Sequence, residues 1–121
     1  MEKKDLKPAG VFKYFEEICQ VPRPSKKEEK MIVYLKAFGA KHNLETKVDE
    51  AGNVLIKKPA TPGKENLQTV VLQSHIDMVC EKNNDVQHDF LTDPIETEID
   101  GEWLKAKGTT LGADNGIGVA T

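Results

Sequence analysis

The chain has 121 residues, of which 38% are hydrophobic and 31% are charged, a composition typical of soluble globular proteins. Its net charge of -3 comes from 17 basic and 20 acidic residues that are interleaved, which leaves no basic stripe for a nucleic-acid backbone. No apolar run approaches the ~20 residues of a membrane-spanning helix, and the first residues lack the apolar core of a signal peptide. We therefore expect a cytoplasmic protein without nucleic-acid or membrane partners, in which Cys19 and Cys80 stay reduced.

Two helices are predicted in the first third of the chain. A stripe of apolar residues with helical spacing predicts a helix over residues 8–20, ended by Pro22. The segment Ser25-Lys-Lys-Glu28 has the pattern of a capping box and predicts the start of a second helix, which fades near Asn43.

Strand patterns follow. Alternating residues over 44–48 and an apolar run over 54–56, separated by a turn at 50–53, predict a hairpin. The β-branched run over 69–74 predicts a central strand that is buried on both faces. Residues 98–104 predict a second hairpin with Asp100-Gly101 in a type I′ turn, and residues 116–121 predict the first turn of a buried helix.

The candidate site begins directly after the predicted central strand, at His75-Ile-Asp77. In an extended segment residues i and i+2 point to one side, so Asp77 can accept a hydrogen bond from one imidazole nitrogen and leave the other free for a metal. A histidine at a strand end whose hydrogen bonds are satisfied and that binds no metal would have the same pattern. A second carboxylate, Asp114, lies in a glycine-rich loop that enters a helix and could reach the same cleft.

The glycine-rich end of the chain can be compared with known phosphate-, dinucleotide- and calcium-binding motifs. A P-loop requires Gly-Lys-Ser/Thr, the dinucleotide fingerprint requires a glycine where Thr121 stands, and an EF-hand requires oxygen ligands at alternate positions. None of these patterns is met. Cys80 with His75 or His88 is a conceivable nucleophile and base, but no neighbouring residue predicts a lowered thiol pKa, so inert packing is favoured.

The segments Leu72-Gln-Ser-His-Ile-Asp-Met-Val-Cys80 and Gly108-Thr-Thr-Leu-Gly-Ala-Asp-Asn-Gly-Ile-Gly-Val119 resemble the two leading motifs of the aminoacyl-histidine dipeptidases. This family, also called Xaa-His dipeptidases or peptidase D, belongs to the co-catalytic zinc exopeptidases. The resemblance extends over essentially the whole chain. It implies an α/β fold with a sheet flanked by helices, in which residues 1–121 form the incomplete amino-terminal part of the catalytic domain, without its remainder and the lid domain.

The resemblance also implies roles for single residues. His75 would bind one of two zinc ions, Asp77 would orient His75, Asp114 would bridge both metals, and the Asp114-Asn115 peptide bond would be cis. Manganese or cobalt could replace zinc. The glutamate that takes a proton from the metal-bound water, and the remaining ligands, would lie beyond residue 121. We therefore expect the complete enzyme, a homodimer in this family, to hydrolyse dipeptides of the Xaa-His type and the isolated chain to be inactive.

Two alternatives remain open at this point. One keeps the metal centre and changes the substrate, to that of another zinc exopeptidase or an N-acyl amino acid deacylase. The other is a non-enzymatic binding module with a vestigial metal site. The sequence after Thr121 separates the second alternative from an enzyme, because an enzyme requires the missing glutamate and ligands.

Overall fold

A computed structural model describes all residues from 1 to 121. It contains three α-helices and four strands in the order α1 (Ala9–Cys19), α2 (Glu29–Lys41), β1 (Glu45–Val48), β2 (Val54–Lys57), β3 (Thr97–Asp100), β4 (Trp103–Ala106) and α3 (Ala113–Ala120), after a short 3₁₀ turn at Lys3–Asp5. The predicted helices, both hairpins and the helix at the end of the chain are therefore confirmed. None of the helices has the length and apolarity that crossing a lipid bilayer demands.

The chain divides into two compact units. One consists of residues 1–31 and 74–121, and the other of residues 32–73. The second unit contains most of α2 and the antiparallel pair β1–β2, in which Glu45 is opposite Lys57 and Val48 is opposite Val54. All candidate site residues belong to the first unit.

The core of the first unit forms where α1 and α3 pack together. Its buried apolar side chains come from α1, α2, α3 and two loop segments: Phe15, Ile18, Cys19, Met31, Met78, Ile95 and Ala120. The amide of Ile95 donates to the carbonyl of Cys19 at 2.9 Å, which holds the 95 segment against the end of α1. Burying these apolar groups is the main stabilising contribution in this unit.

The start of α2 differs from the prediction. The hydroxyl of Ser25 donates to the carboxylate of Asp77 at 2.5 Å, and the carboxylate of Glu28 accepts from the amide of Lys26 at 2.8 Å. A capping box would join Ser25 and Glu28 to each other's amides. That prediction is wrong because a partner distant in sequence takes the serine hydroxyl.

The turn of the second hairpin is shifted by one residue. Because Asp100 pairs with Trp103, the two turn residues are Gly101 and Glu102. Gly101 has φ of 62°, whereas Glu102 has no positive φ. A positive φ at the first turn residue alone is the pattern of a type II′ turn, so the predicted type I′ turn at Asp100-Gly101 is wrong.

The largest departure is the run over residues 69–74, which forms no strand. Val70 is 79% exposed and Leu72 is 89% exposed, so the predicted burial on both faces is wrong. Each sheet of the chain is a two-stranded antiparallel hairpin, and neither includes this run. A strand requires a neighbour for its backbone N–H and C=O groups, and residues 69–74 have none here. The α/β class is confirmed, but the chain contains no central sheet.

Candidate metal site

His75 lies between two carboxylates. Its Nδ1 is 3.1 Å from Oδ1 of Asp77, and its Nε2 is 3.0 Å from Oδ1 of Asp114. Asp77 is two residues further along the chain and faces His75, as the spacing predicts, whereas Asp114 comes 39 residues later. The structure thus brings together the three residues that the sequence singled out, and their roles remain predictions.

The backbone on the carboxyl side of His75 is anchored in the first unit. Pro24 and Met78 form an isolated parallel bridge, in which the amide of Met78 donates to the carbonyl of Arg23 at 3.0 Å and the amide of Ser25 donates to the carbonyl of Met78 at 3.3 Å. The side chain of Met78 is buried. The backbone next to Asp77 is therefore held in place, and the carboxylate of Asp77 faces His75.

Asp114 is placed by the start of α3. Gly112 precedes the helix with φ of 77°, a left-handed conformation that glycine adopts at little cost. Asp114 and Asn115 have non-helical dihedral angles within α3, and the Asp114-Asn115 peptide bond is cis, as expected. This break in the helix directs the Asp114 carboxylate toward His75.

The site is open to solvent and favours a protonated imidazole. The side chains of His75 and Asp114 are 49% and 92% exposed. The hydrogen bond to Asp114 raises the pKa of His75, and Asp77 adds to the effect. The hydroxyl of Ser25 is the main cause that lowers the pKa of Asp77. A metal ion can reach His75 from solvent and would displace its proton on binding.

The geometry fits part of a zinc site. Two ligands of one tetrahedral zinc, each 2.0–2.1 Å from it, lie about 3.3 Å apart. The 3.0 Å between Nε2 of His75 and Oδ1 of Asp114 is close to this value. A carboxylate on the other imidazole nitrogen is the usual partner of a zinc-bound histidine. However, no group of three His, Cys, Asp or Glu side chains is suited to hold a metal, and zinc takes about four ligands.

Cys80 and the two other histidines of the chain do not join this site. The thiol of Cys80 donates to the carbonyl of Met78 at 3.7 Å, and burial raises its pKa, which opposes a thiolate nucleophile. His42 stacks against Phe38 with ring centroids 4.4 Å apart, and His88 lies 4.5 Å from the ring of Phe90.

Two residues beside the site were missed by the sequence reasoning. Arg23 is buried and donates to backbone carbonyls of both site segments, and Ser25 binds Asp77. A signal existed for Arg23, because it is the only arginine of the chain and stands between two prolines. For Ser25, the only individual role that the sequence predicted was that of a helix cap.

Two characterised proteins are similar to the chain over nearly its full length, although no family model matches it. The chain is 51% identical over 120 residues to the cytosol non-specific dipeptidase of Escherichia coli (strain K12), which covers 99% of the chain and 25% of that protein. It matches the crystal structure of the aminoacylhistidine dipeptidase from Vibrio alginolyticus with a TM-score of 0.94 and 54% identity, covering 99% of the chain and 24% of that structure. The chain thus spans about a quarter of the length of these relatives. Over that quarter, the chain is a homologue of the aminoacylhistidine and cytosol non-specific dipeptidases.

Proposed function

We propose that the chain supplies part of the active site of a metal-dependent dipeptidase that works in the cytosol. The observation that carries the proposal is the convergence of His75, Asp77 and Asp114, from segments 39 residues apart, in a chain about half identical to two dipeptidases. The name of the Escherichia coli relative supports the cytosolic setting.

Each of the three residues has a distinct part in the proposal. His75 Nε2 would be a ligand of one metal ion, and the Asp114 carboxylate would be a ligand shared by both metal ions. Asp77 accepts from Nδ1 and so fixes the tautomer of the imidazole. A bound metal pair would supply Lewis acidity and a water of lowered pKa for peptide hydrolysis. Zinc suits imidazole and carboxylate ligands, and manganese and cobalt accept the same set.

The two adjacent glutamate pairs of the chain precede the site in sequence, and one carboxylate of each pair is already hydrogen-bonded. In the first adjacent pair, Glu16-Glu17, Glu16 accepts from Lys3 at 3.2 Å and from Thr97 at 2.6 Å. In the second pair, the Glu28 carboxylate is bound by the amide of Lys26. The proposal therefore requires a base and further metal ligands from outside these residues, and it expects no hydrolysis by the 121-residue chain alone.

The names of the two relatives differ in what they say about the substrate. One is a non-specific dipeptidase and the other an aminoacylhistidine dipeptidase. Both names agree on a dipeptide. We take dipeptides as the substrate class, with Xaa-His among them and without a strict requirement for histidine. Homodimer formation of the complete enzyme is a further part of the proposal.

The test measures hydrolysis of a dipeptide panel, including Xaa-His, by the complete enzyme with zinc and after chelation. We expect chelation and His75→Ala each to abolish turnover, and Asp77→Asn to lower it about 10–100-fold. His42→Ala is the matched control, because His42 is an exposed histidine outside the site. Hydrolysis that survives chelation or His75→Ala would contradict the metal site, and hydrolysis by the 121-residue chain would contradict its incompleteness.

A further inference from the structure

Arg23 is the most deeply buried charged residue of the chain, with 2% of its surface exposed. Its guanidinium donates to three backbone carbonyls. Nη1 donates to the carbonyls of Ile76 at 3.2 Å and Asp77 at 3.3 Å, and Nη2 donates to the carbonyl of Gly112 at 2.7 Å. These hydrogen bonds offset the cost of burying the charge.

The three carbonyls belong to the two segments that carry the candidate site. Ile76 and Asp77 follow His75 directly, and Gly112 precedes Asp114 by two residues. The guanidinium is planar and rigid, so it holds its acceptors at fixed relative positions. One side chain therefore sets the spacing between the backbone that bears His75 and Asp77 and the backbone that bears Asp114.

Two glycines make room for this guanidinium. A Cβ on Gly112 would lie 2.6 Å from Nη2 of Arg23 and 2.9 Å from Sδ of Met78. A Cβ on Gly116 would lie 2.7 Å from the same nitrogen. Since real Cβ atoms do not approach so closely, both positions accept only glycine while Arg23 stays in place. The glycines of the Asp114 loop thus leave space for the Arg23 guanidinium and also permit the turn.

Ser25 adds a second connection from the same segment. Its hydroxyl donates to Oδ2 of Asp77 at 2.5 Å, while Oδ1 of that carboxylate faces Nδ1 of His75 at 3.1 Å. The carboxylate is therefore held from both sides. Its orientation determines the rotation of the imidazole and hence the direction of Nε2.

We propose that Arg23 and Ser25 are positioning residues of the metal site, Arg23 by fixing the two site segments against each other and Ser25 by fixing the carboxylate of Asp77. The inference rests on the proposed function, because it assumes that His75 and Asp114 bind a metal. Neither residue contacts the metal or the substrate in this scheme. Their effect passes through the backbone carbonyls of Ile76, Asp77 and Gly112 and through the carboxylate of Asp77.

Arg23→Lys and Ser25→Ala test the two connections separately. Lysine keeps the charge but donates from a single nitrogen, which cannot span the carbonyls of both segments. Ser25 is exposed, so its loss leaves the core intact. Lys27→Met is the matched control, since it removes an exposed cation in the same stretch of chain.

The primary readout is the dissociation constant for Zn²⁺ of the complete enzyme, measured by competition with a chromophoric chelator. The visible spectrum of the Co²⁺ form and the kcat and KM for a dipeptide are measured on the same samples. We expect Arg23→Lys to weaken Zn²⁺ binding about 10–100-fold and Ser25→Ala about 3–10-fold, the range for partners of metal ligands. The Co²⁺ spectrum should shift, and kcat should fall while KM stays constant.

The outcomes separate the two proposals. If the unmodified enzyme binds no metal at the His75 site, the proposed function fails. If it binds metal and both variants keep the Zn²⁺ affinity and Co²⁺ spectrum of Lys27→Met, the positioning roles are wrong. If Arg23→Lys does not fold and Ser25→Ala behaves as the control, Arg23 acts on stability alone and the inference is overturned.

Discussion

The apolar residues before and after His75 differ in how far they are buried. On the amino side, Val70 and Leu72 belong to an apolar run, yet they are largely exposed and the run forms no strand. On the carboxyl side, Met78 is 3% exposed, and its backbone pairs with the segment at Pro24.

Apolarity alone does not explain this difference, because the sequence is apolar on both sides of His75. What the carboxyl side has is a set of partners from distant parts of the chain: the carbonyl of Arg23 for its amide and the amide of Ser25 for its carbonyl. A backbone segment becomes ordered and buried when its polar groups are paired, and this depends on which neighbours are present. The comparison predicts that substitutions on the two sides have very different costs.

The largest effect is expected for Met78→Ala. Removing a buried methionine side chain leaves a cavity, so the free energy of unfolding of the 121-residue chain should fall by about 2–5 kcal/mol in urea titrations. Val79→Ala is the control, because Val79 is adjacent and 69% exposed, and its cost should stay below about 0.5 kcal/mol. Equal losses in both variants would show that the burial of Met78 does not determine the cost.

Gly116→Ala tests the packing of the Asp114 loop. The added methyl group would lie 3.0 Å from Cε2 of Phe15 and closer still to Arg23, so overpacking should cost about 1–3 kcal/mol of unfolding free energy. Gly10→Ala is the matched control in α1, where the methyl group meets nothing within 4 Å. It should instead stabilise the chain by up to about 1 kcal/mol. The same sign in both variants would contradict a tight fit around Arg23.

A smaller effect is expected from pH, through the buried thiol of Cys19. Burial, with a contribution from Glu16, raises the pKa of Cys19 to about 12. The neutral thiol is therefore favoured in the folded state, and its contribution to stability is complete below the unfolded pKa of about 8.5. As pH rises from there toward 12, this contribution is lost, by at most about 1.4 kcal/mol per pH unit.

Urea titrations at pH 7, 9 and 10 measure this dependence. In Cys19→Ala the loss of stability above pH 8.5 should be smaller, although the variant starts from a lower value because it leaves a cavity. An identical alkaline slope in both proteins would show that other groups cause it.

The smallest effect on stability is expected for Leu72→Thr, within about 0.5 kcal/mol, because the side chain is already 89% exposed. The variant should aggregate less in light-scattering measurements, since an exposed apolar segment with unpaired backbone groups favours association. Val33→Thr is the control, because Val33 is 66% exposed on α2, where the backbone is paired. If aggregation falls equally in both variants, the aggregation of the unmodified chain is caused by exposed apolar side chains in general.

Local sequence determined the helices and hairpins. The stripe of α1, the alternation in β1 and the turn residues between strands depend on neighbours close along the chain, so their patterns predict them within a residue or two. The choice of His75, Asp77 and Asp114 also came from the sequence, through the spacing of the first two and the resemblance of both motifs to dipeptidases. Similarity to two dipeptidases confirms that resemblance.

Only the tertiary structure decided which groups distant in sequence meet. It assigned the hydroxyl of Ser25 to Asp77, left the run at 69–74 without a partner, and placed Arg23 between the segments of His75 and Asp114. These outcomes depend on competition among donors and acceptors more than 50 residues apart, and no local pattern records it. The physical reason is that a hydrogen-bonding group takes whichever partner the folded chain brings to it, and for Ser25 that partner is Asp77.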